Sequence, residues 1–318
     1  MNAPTLGFVG LGRMGAPMAG RLAAAGYRVR GYDSAGSEAR AAAGVSPVPT
    51  LEAVAAEAQV VFLSLPDGRA SLAVCSALAG AAERRVDVVV DLSTVGIAAA
   101  RACAALLQEA GARYVDAPVS GGVAGARSGS LAMMVGAGAA LFESLQPVLQ
   151  VLASHRFRVG DSPGQGQAMK LLNNFVSACA MLATSEAVVF GARVGLDLAQ
   201  MLDVLNVSTG RTTASSDKFP RSVLPRTYDF GFAGVLMAKD VALYLESTRA
   251  AGSPRELAEV VARLWEAFDR SCPGADFTAI HRYLEQQAEG ELRGVLSSRR
   301  ASSQARSSRA RSTRPRRR

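Results

Sequence analysis

Lys170, Asn173 and Asn174 stand together in an otherwise apolar stretch, Lys170-Leu171-Leu172-Asn173-Asn174. At helical spacing Lys170 and Asn174 are i and i+4, so both project from one face. A lysine held there is either the edge of a wet surface or a polar site built for proton transfer, and the residues alone leave both readings open. Gly10-Leu11-Gly12-Arg13-Met14-Gly15 is a GxGxxG run. Such a run can bring a pyrophosphate against backbone N–H groups, provided a strand precedes it and a helix follows. Asp33, 18 residues beyond Gly15, is spaced to accept hydrogen bonds from ribose hydroxyls and to repel a 2′-phosphate. That favours NAD over NADP, with Arg30 on the same segment leaving room for NADP. Ser120-Gly121-Gly122 lies in a loop of small residues, Asp116 to Val123. Its successive N–H groups either form a concave site for a carboxylate or simply make a tight turn. Leu63 to Asp67 and Asp91 to Val95 each read equally well as an ordinary turn or as a ligand-facing one.

These groups need elements to position them. Leu6–Val9, Arg28–Tyr32, Val60–Ser64, Val86–Leu92, Tyr114–Asp116 and Ala132–Val135 read as strands. The third and fourth are nearly continuous apolar runs, as expected of strands buried on both faces. Met14–Ala25, Leu51–Glu57, Ala70–Leu78, Ile97–Ala110 and Leu141–Leu152 read as helices between them. The alternation predicts an α/β fold, a doubly wound parallel sheet of Rossmann type. The candidate turns then fall at the carboxyl ends of strands, where such sheets bind ligands. Past a turn-rich segment at 160–166 the pattern becomes helical: 168–192, 197–207, 235–251 and 254–270, with loops at Ser208–Arg211 and Pro220–Phe230. The expected division is residues 1–162 as a dinucleotide-binding domain, 163–290 as an all-helical domain, and 291–318 as a disordered Arg/Ser-rich tail. The long first helix of the second domain could pack against another subunit.

Composition narrows the classes. The chain has 318 residues, 49% apolar and 19% charged, which excludes a wholly disordered chain and a coiled coil. Its net charge of +8 rests on the nine arginines after Ser297; without them the balance is −1. Nucleic acid could be addressed only by the tail. Cys75, Cys103, Cys179 and Cys272 show no CxxC spacing or histidine pairing, so no metal site is expected and the thiols read as reduced. His155 and His281 read as structural. The first strand begins too early to leave room for a signal peptide, and the best apolar stretch, Phe175–Gly191, contains Glu186. A cytoplasmic protein without a membrane span is expected.

Together the motifs resemble the β-hydroxyacid dehydrogenases, a family that includes 3-hydroxyisobutyrate dehydrogenases and tartronate semialdehyde reductases. The resemblance rests on Gly7 to Ala19, on Asp116 to Gly122, on Lys170-x-x-Asn173-Asn174, and on Gly231-Phe232 followed by Leu236-Met237-Ala238-Lys239-Asp240. It covers residues 5 to about 290. It implies that Lys170 is the general acid/base and that Asn174 holds Lys170 or the substrate. Ser120, Gly121 and Gly122 would bind the substrate carboxylate. Leu65, Pro66 and Thr94 would line the dinucleotide site, and Lys239 would reach the cofactor. The 6-phosphogluconate dehydrogenases are set aside because they carry a His-Asn pair after their lysine, and the imine reductases because they usually lack that lysine.

The expected function is an NAD(P)-dependent oxidoreductase interconverting a small 3-hydroxy acid and its semialdehyde, working as a homodimer or homotetramer. The run Gly122 to Gly129 resembles the 3-hydroxyisobutyrate branch of the family, with tartronate semialdehyde reduction as the alternative. A non-catalytic scaffold using the basic tail is the distant alternative. Val123, Phe230 and Asp240 are expected near the substrate side chain. Lysine must lose its ordinary affinity for protons to serve near neutral pH; burial would do this, and so would Lys239 if close.

Overall fold

The computed structural model describes residues 4–290; the expected tail lies outside them. The sheet builds outward from β1 (Leu6–Val9), with β2 (Val29–Tyr32) and β3 (Val45–Pro47) on one side. On the other side lie β4 (Val60–Leu63), β5 (Val88–Asp91) and β6 (Arg113–Asp116). These six are parallel in the order 3-2-1-4-5-6. The helices between them are α1 (Gly15–Ala24), α2 (Ser37–Arg40), α3 (Leu51–Glu57), α4 (Gly68–Gly80) and α5 (Ile97–Glu109). Along β5, Val88 and Val90 enter one apolar core and Val89 the other. Burial on both faces is why this strand shows no polar alternation in sequence.

The far edge departs from an all-parallel sheet. After β7 (Val119–Ser120) and α6 (Gly122–Ser128), strand β8 (Leu131–Gly136) runs antiparallel to both β6 and β7. Then α7 (Ala139–Leu152) leads to β9 (Ala153–Gly160), parallel to β8. Neither β9 nor α6 was expected. β9 carries His155, Arg156 and Arg158 in an edge position where charge is tolerated. α6 is glycine-rich and begins after Gly121, whose φ of +127° only glycine adopts readily. The three-residue β3 contains Pro47, as an edge strand can.

Next come α8 (Gln165–Arg193), α9 (Leu198–Val207), a π-helix (Ala214–Val223), α10 (Gly234–Ala251), α11 (Glu256–Ser271) and a helical run at 280–290. The expected loop at Pro220–Phe230 is in its first part the end of the π-helix. Pro220 sits inside a wide turn that its missing N–H would have argued against. Two compact units emerge: Met1–Val176 with Leu236–Ala262, and Ser177–Val235 with the chain from Arg263 on. The first therefore runs past the expected division at 162/163 and takes in the first turns of α8 and most of α10. The second has its own core, in which Trp265, Phe268 and Phe277 stack edge and face. All four cysteines are free, and Cys75 and Cys103 are buried.

Candidate active site

The β1–α1 turn carries Gly10 to Gly15. Gly10 has φ +93°, and a Cβ there would lie 2.3 Å from the Ser64 carbonyl oxygen. A Cβ on Gly15 would lie 1.8 Å from the Gly10 carbonyl oxygen. Gly12 faces open space, with nothing within 4 Å of its Cβ position. The first and third glycines are thus demanded by the protein itself, and the second leaves a gap above the turn. No side chain caps the start of α1; within its first turn the Ala16 N–H goes to the Gly12 carbonyl at 3.0 Å, and Pro17 has none. Asp33, just past β2, accepts the Leu11 N–H at 2.8 Å and the Ala35 N–H at 2.8 Å. Its carboxylate thereby ties the glycine turn to the end of the neighbouring strand. Arg13 is exposed and Met14 half-buried. A cradle open only at Gly12, with a carboxylate beside it, fits a nicotinamide dinucleotide.

Two further turns rise from the same edge of the sheet. Ser93 Oγ accepts the Leu65 N–H at 2.8 Å, linking the β4–α4 turn to the β5–α5 turn. Lys239, on α10, donates to the Pro66 carbonyl at 3.1 Å and the Thr94 carbonyl at 2.7 Å. The structure therefore gathers Leu65, Pro66, Thr94 and Lys239. The lysine holds the rim through its carbonyls.

Lys170 lies in the second turn of α8 and is 6% exposed. The wet-edge reading of this lysine is thereby removed. Burial pushes its ammonium down to about 8; the Asp240 carboxylate pulls the other way and Lys239 adds to the fall. Asn174, one turn on, donates Nδ2 to Asp240 Oδ2 at 2.6 Å, and its Oδ1 accepts from Asn173 at 3.0 Å. Asp240 Oδ1 also lies 3.5 Å from Lys239 Nζ. Among the described residues no hydrogen bond joins Asn174 to Lys170; Asn174 holds Asp240, whose charge acts on Lys170. Asp240 is buried at 2% exposure, and burial pushes its carboxyl up against the pull of the two lysines. It joins this cluster. Asp116 is a buried cap: Oδ1 accepts the Gly164 N–H at 3.0 Å and Oδ2 the Gln167 N–H at 2.7 Å, fixing the start of the lysine-bearing helix.

Ser120, Gly121 and Gly122 lie at the end of β7 and the start of α6, with both glycines exposed and at positive φ (+127° and +63°). Among the described residues no hydrogen bond joins their side chains to the lysine cluster. Val123 lies in the first turn of α6. Phe230 belongs to the second compact unit, where its ring packs on Phe277 and faces Lys218 and Arg221. Gln167, one turn before Lys170, is buried and hydrogen-bonded by both ends of its amide. Sequence patterning gave it no weight. No group of three metal-ligating side chains occurs among the described residues.

Comparison with known proteins gives the family. Residues 5–160 match the model for the NAD binding domain of 6-phosphogluconate dehydrogenase, and residues 164–284 that for the NAD-binding region of NADP-dependent 3-hydroxyisobutyrate dehydrogenase. A probable 3-hydroxyisobutyrate dehydrogenase from Mycobacterium tuberculosis is 36% identical over 293 residues, 90% of this chain and 99% of the relative. The chain belongs to the β-hydroxyacid dehydrogenase family. The 2-(hydroxymethyl)glutarate dehydrogenase of Eubacterium barkeri is 35% identical over 286 residues, covering 88% of this chain and 95% of its own. The solved 3-hydroxyisobutyrate dehydrogenase of Mycobacterium tuberculosis with L-serine superposes with a TM-score of 0.83 at 33% identity. That match covers 89% of this chain and 99% of the other. The fold expected of the family, a Rossmann-type sheet followed by helices, is the one observed.

Proposed function

We propose that the protein is an NAD(P)-dependent 3-hydroxy acid dehydrogenase in which Lys170 exchanges the proton of the substrate hydroxyl. The observation that carries this reading is the buried lysine at about 8, set beside Asp240 and Lys239 on helices fixed to the rim turns. A bound nicotinamide supplies the hydride acceptor or donor. In oxidation, neutral Lys170 takes the hydroxyl proton; in reduction, its ammonium returns a proton to the developing alkoxide. Asn174 holds Asp240, and Asp240 keeps Lys170 from losing its proton too readily. Ser120, Gly121 and Gly122 receive the substrate carboxylate, whose anchoring sets the reacting carbon in place. Asp33 favours NAD, and Gly10 to Gly15 receive the pyrophosphate.

The substrate class follows the relatives, 3-hydroxyisobutyrate first; tartronate semialdehyde reduction is the second branch that the motif resemblance implies. The test is a panel of 3-hydroxyisobutyrate, serine, 2-(hydroxymethyl)glutarate and tartronate semialdehyde, each with NAD and NADP, followed by nicotinamide absorbance. Turnover of none of them would overturn the reading. We place the protein in the cytoplasm as a homodimer or homotetramer. Support for self-association comes from apolar side chains left exposed on α8 and α9, Val176, Phe190, Val204 and Val207 among them.

A further inference from the structure

Gln167 has no exposed surface. Its Oε1 accepts the Val95 N–H at 2.9 Å and the Gly96 N–H at 3.2 Å, while Nε2 donates to the Ser93 carbonyl at 2.9 Å. One side-chain amide thus satisfies three backbone groups of the β5–α5 turn, as a neighbouring strand would. The carbonyl between them, that of Thr94, is held by Lys239 at 2.7 Å, and Ser93 Oγ holds Leu65 of the adjacent turn. Asp116 fixes the backbone N–H of Gln167 itself at 2.7 Å. Every link in this chain is buried or partly buried, where hydrogen bonds are stiff and an unmatched partner is costly.

We propose that Gln167 is a positioning residue that locks the dinucleotide-facing turn Ser93–Gly96 to the helix bearing Lys170. The inference rests on the function proposed above. In the oxidation the C–H bond pair leaves the carbinol carbon as hydride for the dinucleotide ring, and the O–H proton passes to the Lys170 lone pair. Both transfers occur at one alcohol, so their acceptors must keep a fixed spacing. Gln167 sits three residues from Lys170 on a rigid helix and grips the turn directly. A displacement near 1 Å is enough to slow such a paired transfer.

The test uses the full chain and two variants. Gln167→Met keeps the volume and removes every side-chain hydrogen bond. Gln167→Glu keeps donor and acceptor only while its carboxyl is protonated. Direct NADH titration of Gln167→Met is expected to give about tenfold weaker binding. The deuterium isotope effect on kcat with carbinol-labelled substrate is expected to rise above wild type. A protein merely less stable would melt earlier without changing either quantity in its folded fraction. Gln167→Glu is expected to bind NADH nearly as well as wild type at about pH 6 and more weakly at about pH 8, as the buried carboxyl ionises. Wild-type affinity and isotope effect in Gln167→Met would overturn the proposal. Should that variant not fold, equal affinity of Gln167→Glu at both pH values would overturn it. Wild-type protein that binds no NADH would instead overturn the parent reading, and this proposal with it.

Discussion

Replacing Lys170 with arginine keeps the positive charge and most of the length but removes the ability to give up a proton near neutrality. At pH 7 a lysine at the ordinary 10.5 is neutral in about three molecules per ten thousand; at about 8 it is neutral in about one in ten. Burial in α8 therefore enriches the base form about 300-fold. A guanidinium above 12 offers fewer than about one neutral molecule in 100,000, a fall of about 10,000-fold from the buried lysine. General acid–base catalysis is commonly worth about 100- to 10,000-fold, so kcat for oxidation should drop at least about a hundredfold in Lys170→Arg and in Lys170→Met. NADH binding should persist in both. The assay is kcat against pH at saturating dinucleotide. In the wild type the oxidative rate should climb with pH and level off above about 8, because the base must be neutral. The reductive rate should fall over the same range, because the acid must be charged. Lys170→Arg within tenfold of wild type, or an oxidative profile flat through that range, would refute the reasoning.

Three other outcomes follow from neighbouring contacts. Asp240→Asn removes the carboxylate that raises the lysine's proton affinity, so the oxidative limb should move to lower pH; an unmoved limb would show that Asp240 does not act on Lys170. Asp33→Ala takes away both the acceptor for the Leu11 N–H and the charge opposing a 2′-phosphate. The ratio of kcat/KM for NAD over NADP should fall about tenfold or more, and an unchanged ratio would place the discrimination elsewhere. Gly12→Ala and Gly15→Ala should separate binding from folding. The first meets open space and should keep its Tm while weakening NADH binding. The second drives a Cβ to 1.8 Å from a backbone oxygen and should cost about 3 kcal/mol or more of stability. Equal Tm values for the two would contradict the geometry.

Much of the first unit can be read from the chain because its strands are buried on both faces. Val60–Leu63 and Val88–Asp91 announce themselves as apolar runs, and Leu51–Glu57 falls where its pattern predicts. The edge is harder. β9 mixes apolar and charged residues and is exposed along much of both faces, Phe157 included, so no alternation marks it, and α6 hides behind glycines needed for its entry turn. Lys170 and Asn174 were visible by spacing, though not the depth at which they lie. Asp240 and Gln167 were not legible as parts of the cluster. Their partners sit 66 and 72 positions away in the chain, and no local pattern encodes a hydrogen bond closed across that distance. A buried polar residue inside a helix looks the same in sequence whether or not it has one.

The basic residues carry a sharper signal than their total does. Of 35, only three are lysine: Lys170, Lys218 and Lys239. A chain that uses arginine almost everywhere else keeps lysine where a guanidinium would not serve. Lys170 must titrate, and arginine does not. Lys239 converges on two carbonyls and a carboxylate, an arrangement that suits a compact ammonium with three diverging N–H bonds better than a flat fork. Lys218, in the second unit, is buried with its ammonium on Thr213 Oγ1 at 3.0 Å and above the Phe230 ring, a slot of similar narrowness. Two of the three feel a single carboxylate, Lys239 by contact and Lys170 by its charge. Asp240 therefore has two duties: it contacts Lys239, which holds the rim carbonyls, and it restrains Lys170, which must be able to become neutral. Lys170 is the more deeply buried of the two, and that burial loosens its proton against the pull of Asp240.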